Sequence, residues 1–435
     1  MEHILEGAKR ICDEAEVFLV SHRETEVIFE ADRLKQIKST QSSGAALRLV
    51  VDGRIGFAAA RRPDGGSEEL IAMALETAPF GAEAKFQFPG PQPYPQVDVY
   101  NPEVEVTSEG EMVELGQALI DRVKSNTPDV LCEASVVKGT AEIEVINSRG
   151  GTARYKKSVF GLSLEGILIR GTDMLFVGDS QSSCHPISDP SEVAEVTIEQ
   201  LERARESAVP PTGRLPVVFT PRGVASALII PLGMAFNGKT VLQGASPLGG
   251  RRGERVFDPR LSVWDDPQLA FRPGSRPCDD EGVPSRRTAL VEDGVVAGFL
   301  YDLQTAALAG ETSTGNGSRG LGSLPSPSAS TVSVGVGDAT FEEMIADIKK
   351  GLVVEMLMGA SQGNLLGGEF SGNVLLGYLV ENGRLVGRVK DTMVSGNVYE
   401  VLGEVAAIGR EAKWVGGSLL VPDIYCPGLS VAVKV

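Results

Sequence analysis

Two periods of apolar spacing organise this chain. A helical period opens it: Ile4, Leu5, Ala8 and Ile11 fall on one face and predict an amphipathic helix over residues 2–13. A period of two follows, in Val17–Val20, Glu26–Glu30, Ala45–Val51 and Ile55–Ala58, with Asp52-Gly53 as a tight-turn signal. A helix is expected from Ser67 to Thr77. Between Pro89 and Pro102 there are five prolines, which read as an extended connection. Helical spacing returns in Met112, Leu115, Leu119 and Val123, behind Ser108 and Glu111 at capping-box distance. Strands are predicted at 134–137, 141–146 and across 153–177. Asp189-Pro190 opens another helix, lined by Val193, Ala194, Ile198 and Leu201. Beyond Val209-Pro-Pro-Thr-Gly213, the strand Leu215–Phe219 begins the last unit. It contains hairpins at Asp293-Gly294 and Asn382-Gly383, and a strand-helix-strand run over 331–358.

No βαβ period repeats, so the pattern predicts an α+β fold rather than a doubly wound sheet. The expected domains are an N-terminal α+β domain (1–88), a Pro-rich linker (89–107), a central α+β domain (108–208) and a larger, β-rich C-terminal domain (209–435) with antiparallel hairpins.

Composition narrows the function classes. The chain has 435 residues, 42% hydrophobic and 23% charged, as in an ordinary globular protein. Its net charge of −17 repels phosphate backbones, and the short basic pairs Lys349-Lys350 and Arg251-Arg252 are too small for a nucleic-acid footprint. Aromatics at 6% are too sparse for a base-stacking platform. The charged N-terminus lacks a signal-peptide core, and no apolar run reaches the ~18 residues of a membrane span. The expectation is a cytoplasmic protein with no nucleic-acid or membrane partner. Five scattered cysteines, Cys12, Cys132, Cys184, Cys278 and Cys426, read as reduced thiols.

Chemistry-bearing patterns are few. Only His3, His22 and His185 exist. Cys184 and His185 are adjacent, so in an extended segment they point apart and are poorly placed to share a metal. Asp279, Asp280 and Glu281 could bind a hard cation. The plainer reading is a turn whose carboxylates accept bonds from backbone or from Arg286 and Arg287. Gly315–Gly320 fits G-x-G-x-x-G by letter, but it lacks the strand before and helix after that a dinucleotide site needs. The Gly-rich stretch 359–368 reads either as a flexible loop or as a place where another backbone approaches.

The segment 278–317 is the most specific feature. Cys-Asp-Asp-Glu-Gly-Val-Pro (278–284) precedes a hairpin and then Ser-Thr-Gly-Asn-Gly (313–317). Leu324-Pro-Ser-Pro, Glu369-Phe-Ser371 and Gly377-Tyr-Leu-Val-Glu-Asn-Gly383 follow in order. This order resembles the TldD/PmbA family, zinc metalloproteases and their partners once called modulators of DNA gyrase. The resemblance implies a zinc site built from H-E-x-x-x-H on a helix and a cysteine near the C-terminus, with the glutamate as general base. The matching window here is Ile229-Ile230-Pro231-Leu232-Gly233-Met234. Ile229 and Met234 stand where the histidines are expected, Ile230 where the glutamate is, and Lys413 at about the cysteine position. A glycine before the second histidine is expected to ease the wide i, i+5 spacing.

By resemblance, then, this chain is a PmbA- or TldE-type subunit with no catalytic, cofactor-binding or metal-ligating residue of its own and no cofactor. Its expected partner is a TldD-type zinc protease subunit in a heterodimer that degrades or trims unfolded peptides and modified-peptide precursors. The alternatives are a stand-alone metallopeptidase with a non-standard site, and a non-proteolytic peptide-binding or scaffold homodimer.

Overall fold

The computed structural model describes residues 1–61 and 67–434 and is α+β. Its N-terminal part is one six-stranded antiparallel sheet in the order β3-β2-β1-β4-β5-β6. The strands are β1 Glu14–Glu30, β2 Arg33–Val51, β3 Arg54–Arg61, β4 Leu131–Asn147, β5 Thr152–Arg170 and β6 Asp173–Ser183. These strands are longer than the sequence pattern predicts. The runs 17–20 and 26–30 are one strand through His22 and Arg23, because β2 and β4 flank β1 on both sides and satisfy its backbone throughout. The same pairing carries 134–137 and 141–146 into a single β4.

The pleat sets which face meets which layer. In β1, Ala15, Val17, Val27 and Phe29 face the helices. These are α1 Glu2–Ala8, α2 Ser67–Thr77, α3 Glu103–Val106, α4 Glu109–Asn126 and α5 Ser191–Arg203. Phe18, Ala46 and Val145 point the other way and pack against Cys278 of the C-terminal part. Helix α4 starts with the predicted capping box of Ser108 and Glu111. Helix α1 is shorter than expected: the chain leaves it at Lys9 to reach β1, so Ile11 is exposed rather than on the apolar face.

The C-terminal part is a mixed sheet. Gly213–Phe219 lies between Leu419–Val433, antiparallel, and Lys350–Met358, parallel; Glu369–Glu381 and Arg384–Val389 extend it. Both predicted hairpin turns are present, with Asp293, Gly294, Asn382 and Gly383 all at positive φ. The first hairpin is short: only Val291–Val296 and Glu292–Val295 pair before the chain turns irregular. All five cysteines are free, four of them buried. No helix among the described residues is long and apolar enough to cross a membrane.

Candidate functional site

Directly after the strand Gly213–Phe219, Thr220 caps a helical run that continues to Ala235. Its middle, Ala225–Ile229, is a wide π-helical turn. Pro231 accounts for it: proline has no N–H to donate to the carbonyl of Ala227, and its ring pushes that carbonyl away. The distortion therefore lies at Ala225–Ile229, on the N-terminal side of Pro231. It is not centred on Gly233, where a Cβ would meet nothing within 4 Å. The expected glycine hinge is a proline effect one turn earlier.

Val224, Ala227, Leu228, Leu232 and Ala235 bury one side of this run in the C-terminal core. Arg222, Ile230 and Met234 lie on the outer side; Ile230 is 45% exposed and Met234 37%. Ile229 is partly buried against the core. Lys413 is exposed on the strand Ala407–Val415, which packs against the first turn of the helix. Ile229, Ile230, Met234 and Lys413 do not fit zinc. Isoleucine has no donor atom, a thioether is a poor ligand for this metal, and an ammonium opposes it. Among the described residues, no group of three or more His, Cys, Asp or Glu is arranged to hold a metal ion. His22 sits 3.3 Å from Glu24, and His185 lies against Phe271 with ring centroids 3.8 Å apart and planes tilted by 42°.

Beside the first turn of this helix, a cleft of about 500 Å³ opens between the N-terminal and C-terminal parts. Asp179 of β6, Arg203 of α5, Arg222, Glu355, Lys413 and Asp423 line it. Glu355 is 6% exposed; Gln200 donates to it at 2.9 Å and Arg203 lies 3.7 Å away. Burial pushes the carboxyls of Asp179 and Glu355 above their usual range. Asp423 is pushed up to about 6, again by burial, with Lys413 pulling the other way. Sequence reasoning passed over all three acids. The available signal was a charge inside an apolar strand, as in Leu352-Val-Val-Glu355-Met-Leu357.

The segment 278–317 lies elsewhere, against the N-terminal sheet. The Asp279 carboxylate accepts from the backbone N–H groups of Glu281 (3.0 Å), Val283 (2.9 Å) and Gly317 (2.8 Å). Glu281 accepts from Arg48 at 2.7 Å and from the Leu303 N–H at 2.7 Å, at the start of the helix Leu303–Ala309. Arg48 also donates to Glu16 at 3.0 Å. Arg319 lies 2.8 Å from the other Glu16 oxygen as an ion pair without hydrogen-bond alignment. Glu16, Arg48 and Glu281 are at most 2% exposed, so the acidic turn ties β1 and β2 to the C-terminal part.

The arginine partners differ from those expected. Arg286 donates to the Ser313 carbonyl and Arg287 lies 4.3 Å over the Trp264 ring, while Arg48 and Arg319 come from distant sequence. Gly317 needs to be glycine because a Cβ there would sit 2.5 Å from Glu281 Oε2. Gly315 combines φ +75° with a Cβ position 2.7 Å from the Pro284 carbonyl oxygen. A Gly317→Ala variant is therefore expected to lose about 1–3 kcal/mol in urea unfolding. Unchanged stability would show that the acidic turn yields easily. Gly317-Ser318 is a short strand paired with Ser326–Pro327, so the G-x-G-x-x-G letters do not open a helix. The basic pairs are largely neutralised: Arg251 by Glu254, Arg252 by Glu311 and Lys350 by Glu381.

Comparison with known proteins places this geometry among relatives. The PmbA/TldA metallopeptidase C-terminal domain matches residues 212–433, and domain 1 of the same metallopeptidases matches residues 15–78. An uncharacterised protein of Methanocaldococcus jannaschii is 26% identical over 98% of this chain and 99% of its own length. A metalloprotease of Methanothermobacter thermautotrophicus is 27% identical over 92% and 88%. A metalloprotease TldD homolog of Haemophilus influenzae is 30% identical, over 47% of this chain and 42% of its own. Among solved structures, TldE from Thermococcus kodakarensis is similar with a TM-score of 0.90 at 24% identity, covering 99% of both chains.

Proposed function

Because this chain belongs to the PmbA/TldD metallopeptidase family, we propose that it is a TldE-type subunit that does not itself cleave peptides. The observation that carries this reading is the set of residue types on the helix 221–235 and at Lys413. Ile229, Ile230 and Met234 stand where the family resemblance expects two metal ligands and a base, and Lys413 where it expects a thiolate. The full-length similarity to a TldE structure supports the same assignment. In this reading the chain supplies part of a peptide-binding cleft in the cytoplasm and stabilises a TldD-type partner. Zinc, water and glutamate for hydrolysis belong to that partner.

The test is to purify the chain alone and co-expressed with the TldD-type protein of the same cell. The chain alone is expected to carry no stoichiometric zinc and no peptidase activity. The pair is expected to co-purify and to hydrolyse unfolded peptides in a chelator-sensitive way. Tightly bound zinc in the isolated chain, with activity lost on chelation, would overturn the proposal. Failure to form any complex would favour a scaffold homodimer.

A further inference from the structure

Strand β2 is flanked on both sides for only part of its length. β3 pairs with it from Gly44 to Val51. Over residues 33–43 it pairs with β1 alone, and its outer edge has no partner among the described residues. All of residues 33–43 are exposed. At about 3.4 Å per residue this open edge runs roughly 35 Å, longer than an average strand. An edge of that length is a ready template for another strand.

Two rows of core side chains end on it. Leu164, Ala134 and Phe29 lie side by side across β5, β4 and β1, and Leu34 of β2 continues the row. Leu162, Val136 and Val27 form a second row, continued by Ile37. The first three members of each row are buried with Met112, Leu115 and Leu119 of α4. Leu34 and Ile37 are 45% and 42% exposed. One further strand would cover them, so the apolar layer stops one strand short.

Charge decides which strand fits. Arg33 and Lys38, next to Leu34 and Ile37, fall on the opposite face of the sheet. No acid occurs between Arg33 and Val51, in a chain of net charge −17. Lys35 pairs with Glu30, whereas Arg33 and Lys38 form no ion pair among the described residues. In a second copy of this chain, the antiparallel register that sets Leu34 against Ile37 also sets Arg33 against Lys38. Like charges directly opposite destabilise such a pair, and lysine on an edge guards against self-pairing. A strand with carboxylates on that face and apolar residues on the other meets no such repulsion.

We propose that the TldD-type partner docks here, adding one of its own strands to the β2 edge at residues 33–43. That strand presents apolar side chains to Leu34 and Ile37 and carboxylates to Arg33 and Lys38. This docking mode rests on the subunit reading for the identity of the partner, and adds to it the surface, the pairing and the sign of the charge.

The test measures the affinity of the full chain for the TldD-type protein of the same cell, and amide hydrogen exchange of the chain alone and in the complex. Leu34→Ser with Ile37→Ser is expected to weaken association about tenfold or more, from the apolar area left uncovered. Arg33→Glu with Lys38→Glu is expected to weaken it several-fold at low salt, an effect that shrinks at high salt. These side chains are exposed, so both variants should melt as the unmodified chain does. Exchange is read on the unmodified chain, so a poorly folding variant does not leave the question open. Amides within 33–43 should slow on complex formation, because the outward N–H groups gain acceptors. A complex with unchanged exchange at 33–43, or with unmodified affinity in both variants, overturns the docking mode and leaves the subunit reading standing. No complex at all overturns both. Slowed exchange at 33–43 in the chain alone, rising with its concentration, shows self-pairing and overturns the choice of an acidic partner strand.

Discussion

Replacing Arg48 by methionine is expected to cost about 3–5 kcal/mol of stability, the usual penalty for removing one partner of a buried ion pair. Arg48 is 2% exposed and joins Glu16 to Glu281, two carboxylates that are fully buried. Its guanidinium lies against the edge-to-face pair of Phe86 and Phe88, 4.7 and 4.9 Å from their ring centroids. Methionine keeps much of that apolar contact, so the loss reports mainly the uncompensated charge.

The pH dependence separates the two contributions. Burial raises Glu281 to about 8 even with Arg48 present. Without Arg48 it rises further, so the deficit of the variant is largest above pH 8. The deficit shrinks below the folded value, where Glu281 is protonated in both proteins. Guanidinium unfolding of both proteins at pH 6 and pH 9 checks this. A deficit under about 1 kcal/mol at pH 9 would falsify the role assigned to this ion pair. A Glu281→Gln change on the Arg48→Met background should recover part of the loss, because it removes the stranded charge.

Replacing Asp423 by asparagine is expected to act in the opposite direction and stabilise the chain by about 2–3 kcal/mol at pH 8. An ordinary aspartate titrates near 3.8 and this one near about 6, because burial penalises its charged form. A carboxyl whose folded value is raised contributes its full stability below the unfolded value, near 3.8. That contribution is lost as pH rises through about 6. Asparagine keeps the shape without the titration. The two proteins should therefore melt together near pH 3.5 and diverge between pH 4 and pH 7. Identical melting at pH 3.5 and pH 8 would remove the argument that Asp423 is retained at a cost in stability. Such a cost is typical of groups kept for binding rather than for folding.

The parts of this fold that were legible in the sequence are those set by local chemistry. The capping box at Ser108 and Glu111, the Asp293-Gly294 and Asn382-Gly383 turns, and the helix from Ser67 to Thr77 all form where their residues predict. Each depends on contacts within a few residues. The length of β1 was not legible, because His22 and Arg23 are polar and the pattern breaks there. They remain in a strand because both neighbours pair with them. The partners of Glu281 were misread for a related reason. Arg286 and Arg287 are near in sequence, yet the irregular segment leaving Glu281 carries them to Ser313 and Trp264, and Arg48 arrives from β2.

On its own, the sequence determined the α+β class, the family resemblance through 278–317, and the residue types at Ile229, Ile230, Met234 and Lys413. Those are questions of identity and order, which survive without coordinates. Only the tertiary structure decided that the acidic turn is a buried tie between the two parts of the molecule, and that Pro231 rather than Gly233 widens the helix. It also brought Asp179, Arg222, Lys413 and Asp423 around one cleft. These residues come from four separate segments, and the burial that raises Asp423 exists only once those segments pack.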